Sequence, residues 1–317
     1  MNKAYFEILR AGVNTTIQDK GRNHLYHIGI AVSGAIDQRN YILSNKLVGN
    51  NLNEAAIEFA YQGPLLKLKN GKINISITGD VLFKIIRKNL NIENGICYKS
   101  YILEDEDQID LISTKNTAYG YLSISGGFEL EKKWNSYSIN TKANVGPNNG
   151  KKYNIKDKIF IKNCDLQTFK EMKINYKETS DNIIRVIKGT NFDYFSTEAK
   201  NNFFNKGFSV TKLADRMGIR LSGSKLENIV NTNIKSEGLV RGVVQVPADG
   251  NPIIMLSDHG TIGEYPKIGV VISADLDRVG HLTHRSTVNF KEVSLEEAQN
   301  IFKAYTEDTN KYLNENN

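Results

Sequence analysis

SEGLVRGVVQVPADGNPIIMLSDHGTIGEYPKIGVVISADL, residues 236–276, contains three apolar runs: Leu239–Val246, Ile253–Leu256 and Ile268–Ile272. Each is short, rich in Val and Ile, and bounded by Gly, Pro, Asp or Ser. That pattern reads as buried β-strands rather than helices. Between the last two runs, SDHGTIGEYPKIG gathers Asp258, His259, Thr261, Glu264, Tyr265 and Lys267 into one Gly-punctuated loop. Polar loops held between apolar strands are where a rigid scaffold presents chemistry. A solvated hairpin connection has the same composition, and spacing alone does not choose between the two.

The same alternation continues upstream. From Ala55 to Ile112, short apolar runs (Ala56–Ala60, Leu65–Leu68, Ile73–Thr78, Val81–Ile86, Ile109–Ile112) are separated by Gln62-Gly63-Pro64, Asn70-Gly71 and Asn94-Gly95. Further strands are predicted over residues 4–9 and 118–125. Regularly spaced short strands with such turns point to a β-sandwich or barrel. Helices are few. Asp37 stands as an N-cap before Tyr41, Ile42, Leu43, Leu47 and Val48, with Gly49 as the stop. That local job explains Asp37 better than catalysis does. A short helix is predicted near residues 196–204. Ser294 and Glu297 form a capping box ahead of Leu295, Ala298, Ile301, Phe302 and Tyr305 at helical spacing, and the tail from Glu307 reads as frayed.

Residues 163–182, NCDLQTFKEMKINYKETSDN, are polar and break the strand pattern. The boundary is placed there: a first domain over 1–165, a linker over 166–182, and a second domain over 183–317. A weak echo links the halves. Asp19, Gly21 and Arg22 in the first resemble Asp215, Gly218 and Arg220 in the second, each set leading a β-rich segment. A common Asp/Gly turn explains the echo equally well.

Composition narrows the function classes. The chain of 317 residues is 40% hydrophobic and 24% charged, with net charge +6. Its lysines are scattered, with only pairs such as Lys132–Lys133 and Lys151–Lys152. A solvated basic surface is therefore expected, not nucleic-acid binding. Cys97 and Cys164 lie far apart and outside metal-ligand spacing, which suits structural thiols in a reducing cytoplasm. No apolar run approaches the roughly 18 residues of a membrane helix, and no signal-peptide core opens the chain. The expectation is a cytoplasmic protein with no membrane and no nucleic-acid partner.

Several familiar machines are missing. Gly146-Pro-Asn-Asn-Gly150-Lys151-Lys152 is one residue too short for a phosphate-binding P-loop, and neither G-x-S-x-G nor H-E-x-x-H occurs. His24/His27 and His281/His284 are H-x-x-H pairs without a helical pattern or nearby Cys or Glu ligands, so no metal is expected. What remains is a dispersed polar set. Asp258, His259, Tyr265 and Lys267 are the catalytic candidates. Gln18, Asp19, Arg22, Asp215, Arg216, Arg220 and Gln245 are the substrate-binding candidates. Arg grips a carboxylate bidentately, and Lys or His can move a proton or hold an oxygen as negative charge develops. Asp19/Arg22 and Asp215/Arg220 read equally well as internal turn braces.

QVPADGNPIIMLSDHGTIGEYPKIGVVISADL resembles the C-terminal signature of the allophanate hydrolase subunit 2 family. That family is also called the biotin-dependent carboxyltransferase A/B family, and it includes the C subunit of bacterial 5-oxoprolinase. Glu264 stands where the family pattern has a second Gly. Gly12, Thr15, Thr16, Gln18, Asp19, Gly21 and Arg22, then Ser33, Gly34, Ala35 and Asp37, match its N-terminal pattern. Residues 207–226, GFSVTKLADRMGIRLSGSKL, resemble its Asp-Arg-Met-Gly segment, and Asn135–Ile139 is a looser match to a Gly-Ser-x-Ser-Thr segment. The resemblance implies a mainly β fold of two tandem cyclophilin-like β-barrel domains. It implies a subunit of an ATP-dependent complex that opens the 5-oxoproline lactam to glutamate, with ATP used through the complex. The implied partners are a smaller homologous protein, of the 5-oxoprolinase B type, and a lactam-utilisation-type protein, acting on a small anionic substrate. Two alternatives come with it. One is a carboxyltransferase moving CO₂ from carboxybiotin, the biotin arriving on a separate carrier because Met172-Lys173-Ile174 is not a biotin-accepting motif. The other is a non-enzymatic antagonist of a kinase inhibitor.

Overall fold

The computed structural model describes residues 3–162, 171–177, 182–230 and 234–314. Cys164 and parts of the expected linker lie outside them. The chain divides into two compact units. The first comprises Met1–Arg22, Ser33–Glu178 and Thr309–Asn317; the second comprises Asn23–Val32 and Thr179–Asp308. The fold is mainly β.

In the first unit, a six-stranded sheet runs in the order Lys158–Phe160, Tyr5–Arg10, Leu65–Lys69, Gln108–Thr114, Val81–Ile86, Ile92–Asn94. A five-stranded sheet runs Asn14–Gln18, Ala56–Ala60, Tyr119–Ile124, Ile73–Thr78, Ser100–Leu103. Alternate residues of both sheets meet in one core. Phe6, Leu66, Phe83, Ile85 and Ile109 come from the larger sheet, and Ile17, Phe59, Ile75, Ile77 and Leu122 from the smaller. Burying each such side chain contributes about 1.5–3 kcal/mol.

The smaller sheet is also buried on its other face, beneath the helix Gln38–Leu47. Polar side chains there bond the helix instead of water. Ser76 Oγ donates to Ser44 O at 2.6 Å and Thr78 Oγ1 to Asn40 O at 2.7 Å. The helix starts as expected, with the Asp37 carboxylate accepting from Asn40 N at 2.8 Å. It stops at Gly49, whose φ of 72° is left-handed. The Cys97 thiol is pushed up to about 11 by burial, which makes it an inert core group.

The second unit is a closed seven-stranded barrel: Ile183–Lys188, Lys267–Val271, Val243–Gln245, Ile253–Met255, Gly218–Ser222, Phe208–Ala214, Thr287–Glu292. Its closing pair, Ile183–Lys188 with Thr287–Glu292, is parallel. The helix Thr197–Asn205, capped by Ser196, brings Phe203 onto Phe290 with ring centroids 4.4 Å apart. The apolar runs Leu239–Val246, Ile253–Leu256 and Ile268–Ile272 all supply barrel strands, although the first becomes a strand only at Val243. The polar loop is more structured than its composition implies, because Ile262–Gly263 pairs with Glu237–Gly238 as a small antiparallel ribbon.

The Ser294/Glu297 capping box forms in both directions, at 3.1 and 2.7 Å. Ala298, Ile301 and Tyr305 pack beside Ile272, Ala274 and Val293, whereas Leu295 and Phe302 stay exposed. The expected fraying at Glu307 does not occur, and the helix runs Leu295–Asn314. Packing holds its last turn: Tyr312 and Leu313 lie against the cluster of Leu43, Leu47, Tyr98 and Ile174. Among the described residues no helix is long and apolar enough to cross a membrane.

Candidate functional site

Lys267 opens its barrel strand next to a bulge between Val244 and Gln245. The residue is 4% exposed. Its Nζ donates to Glu237 Oε2, and to Asn191 Oδ1 at 3.4 Å. Asn191 also fixes the backbone there. Lys267 N donates to Asn191 Oδ1 at 3.0 Å, and Asn191 N to Lys267 O at 3.3 Å. Gly189 makes room, since a Cβ on it would fall 2.2 Å from the Lys267 carbonyl oxygen. The hydrogen bond from Lys267 holds the Glu237 carboxyl below the usual range. The result is a preset positive charge beside a carboxylate that water reaches.

Asp258 is buried and forms a bidentate pair with Arg216: Nε to Oδ2 at 2.8 Å and Nη2 to Oδ1 at 3.1 Å. Its neighbour His259 is also buried. His259 Nδ1 sits against Gly260 O, which can only accept, so Nδ1 carries the proton. Nε2 then accepts from the Tyr26 hydroxyl at 3.3 Å. Burial keeps the imidazole below the usual histidine range and the Tyr26 phenol above its own. Together they present a neutral base with a hydroxyl already aimed at it.

His259 lines a groove of about 490 Å³ within the second unit. Leu213, Met217, Ile253 and Met255 give it apolar walls, and Lys212, Asp215 and Arg220 give it charge. The volume suits a small ligand. Arg220 reaches Asp249 at 3.7 Å rather than Asp215, and both partners are well exposed. Asp215 instead accepts from Met217 N at 2.8 Å, bracing a turn. Arg216, Asp258, Tyr265 and Lys267 do not line this groove. Gln245 is buried and donates to Tyr265 O at 3.1 Å, which holds the loop before Lys267.

The remaining candidates belong to the first unit. Asp19 accepts from Ser136 Oγ and Tyr137 N, both at 2.7 Å, from Ser138 Oγ at 2.5 Å and from Gly21 N at 2.8 Å. Arg22 donates to Ser138 O, and Gln18 Nε2 to Ile139 O at 2.9 Å. All three therefore shape the 136–139 segment. The echo between the halves has a physical basis: Asp19 and Asp215 each accept from the backbone two residues on. A larger cleft in the first unit, about 680 Å³, is lined by charges that already pair, such as Arg87 with Asp107 and Lys99 with Glu171. It carries no chemistry of this kind.

Sequence reasoning missed Glu237, Asn191 and Tyr26. Glu237 lies at the head of the strand-rich stretch 236–276, and a carboxylate just before the first of its apolar runs was its only signal. The other two are recognisable only once the chain folds, and the fold also supplies Asp19 as the partner of Ser136 and Ser138 in the Asn135–Ile139 segment.

Residues 28–292 match the model of the carboxyltransferase domain, subdomain A and B. The chain belongs to this family. Within it, the chain is 31% identical to the C subunit of 5-oxoprolinase from Haemophilus influenzae, covering 93% of each chain. It is 27% identical to the C subunit of 5-oxoprolinase from Escherichia coli, covering 92% of each. The solved urea amidolyase of K. lactis superposes with a TM-score of 0.90 at 25% identity, over 98% of this chain and 20% of that one. Glu264, at the family's second Gly, does not have a left-handed backbone. The loop therefore needs no glycine there, and Ser236 Oγ donates to the Glu264 carboxylate at 3.3 Å.

Proposed function

We propose that this chain is a subunit of an ATP-dependent 5-oxoprolinase complex that opens the 5-oxoproline lactam to glutamate. The end-to-end likeness to two 5-oxoprolinase C subunits carries the reading. The chemistry of the second unit is compatible with it. 5-Oxoproline is a small carboxylate, and the groove offers Lys212 and Arg220 beside apolar walls. A lactam carbonyl is a poor electrophile. Phosphorylating its oxygen makes attack feasible, and the charge that develops needs a fixed cation, for which Lys212 and Arg220 line the groove while Lys267 does not. His259 Nε2, neutral and beside Tyr26, is the group suited to accept a proton. ATP enters through the complex, and a smaller homologous protein and a lactam-utilisation-type protein are the partners.

The fit to urea amidolyase supports a second reading, carboxyl transfer from carboxybiotin on a separate carrier to a small acceptor. The test is ATP-dependent formation of glutamate from 5-oxoproline by this chain co-expressed with the subunits encoded beside it. Glutamate that requires every component, and that is lost with Arg220→Ala, supports the lactamase. Biotin-dependent fixation of bicarbonate without glutamate transfers the assignment to the carboxyltransferase. A tight complex with neither activity leaves a binding role.

A further inference from the structure

In the first unit, the chain reverses at Lys133–Ser136, where Lys133 N donates to Ser136 O at 2.9 Å and Ser136 N to Lys133 O at 3.3 Å. The two central residues, Trp134 and Asn135, have φ of 51° and 59°. Two consecutive left-handed residues are the geometry of a type I′ turn, whose usual occupants are Asn, Asp and Gly. Asn135 fits, but Trp134 does not, because a bulky side chain is disfavoured there. Trp134 is the single Trp of the chain, and it is 42% exposed.

The frame behind the tip is rigid. The Asp19 carboxylate takes the Ser136 and Ser138 hydroxyls and the Tyr137 amide. Lys132 Nζ lies 5.0 Å from the Tyr137 ring centroid and Lys133 Nζ 5.2 Å from that of Trp134. Both lysines are exposed, with Glu131 the one acidic residue in the run, so the tip is net positive. A strained backbone that displays a large aromatic to solvent on a rigid base is a mark of function. Trp is also enriched among the few residues that dominate protein–protein contacts.

We infer that the Trp134 tip is a docking element for a second protein chain, whose surface carries an apolar recess for the indole and carboxylates for Lys132 and Lys133. This rests on the reading that the chain works in a complex. The positive tip selects an acidic partner surface, and the fixed backbone spares the ordering cost of docking.

The test labels the chain with 5-fluorotryptophan, which gives one fluorine resonance, and titrates it with the subunits encoded beside it. Binding shifts that resonance. Trp134→Asn, which keeps the turn, and Trp134→Ala each weaken binding about tenfold or more. Lys132→Glu with Lys133→Glu weakens it most at low salt. A complex that forms with the resonance unmoved and the variants within twofold of the parent overturns the inference and leaves the complex standing. No complex with any of these subunits overturns both. A resonance that shifts only with phosphatidylserine vesicles replaces the protein partner with a membrane surface.

Discussion

Lys267 and Glu237 form an unequal ion pair: the lysine side chain is 5% exposed and the glutamate side chain 41%. The buried cation depends on a counterion that solvent reaches. Removing the carboxylate leaves the ammonium with Asn191 Oδ1 at 3.4 Å. Glu237→Gln is expected to cost about 1–2 kcal/mol, less than for a fully buried pair because water takes part of the load. The pH dependence has a definite sign. The folded carboxyl titrates below the ordinary 4.5, so its contribution is complete above that value and is lost as pH falls through the lowered folded value. Urea denaturation at neutral and acid pH checks both statements, since Glu237→Gln should remove this share of the acid sensitivity.

The Arg216–Asp258 pair is buried on both sides, at 6% and 2% side-chain exposure. Asp258→Asn strips Arg216 of a bidentate carboxylate and is expected to destabilise the chain by about 3–5 kcal/mol. Lost activity in that variant would then report folding. Replacing both residues by apolar ones of similar volume should recover most of the stability. A double-mutant cycle by urea denaturation reads the coupling directly.

This pair also shows where sequence reasoning stops. Runs such as Ile73–Thr78 and Ile253–Leu256 were legible because β-branched residues and turn signals are local. The partner of Asp258 lies 42 positions earlier, and the two meet because Gly218 pairs with Met255 in the barrel. No local signal carries that. Glu237 was in plain view but reads as a strand boundary until the ribbon with Ile262–Gly263 brings it toward Lys267. Ser76 and Thr78 alternate with the apolar residues of their run, and alternation cannot distinguish a face open to water from one under a helix that accepts hydrogen bonds. For the loop around Asp258, composition does not choose between a scaffolded element and a solvated hairpin; the ribbon of Ile262–Gly263 with Glu237–Gly238 shows it held by the fold. Which of its side chains are free to act was not readable.

His259 and Tyr26 make a prediction about protons. Burial lowers the imidazole, so in the folded chain it stays neutral below the ordinary 6.5. The folded state binds fewer protons than the unfolded one in that window. Its contribution to stability is therefore complete above 6.5 and declines as pH falls through the folded value. Tyr26→Phe removes the donor to the neutral Nε2 and should move the titration back up, toward 6.5. NMR titration of the His259 ring proton, in the parent and in Tyr26→Phe, checks this. An unchanged midpoint would mean that the hydroxyl does not hold the neutral form.

Asp19 gathers four donors onto one carboxylate, and two of them are the hydroxyls of Ser136 and Ser138. Hydrogen bonds to a charged acceptor contribute about 1.5–3 kcal/mol each, though not additively. Asp19→Ala is expected to destabilise the first unit by about 3 kcal/mol. Asp19→Asn should cost less, since the amide oxygen still accepts while its NH₂ now faces donors. The single indole reports the local consequence. Trp134 emission should shift, and its quenching by iodide should rise, in Asp19→Ala before global unfolding, because the frame behind the turn has loosened. If emission and quenching stay at parent values while the stability loss appears, Asp19 braces its own turn at Gly21, and the tip at Trp134 is held by its own turn.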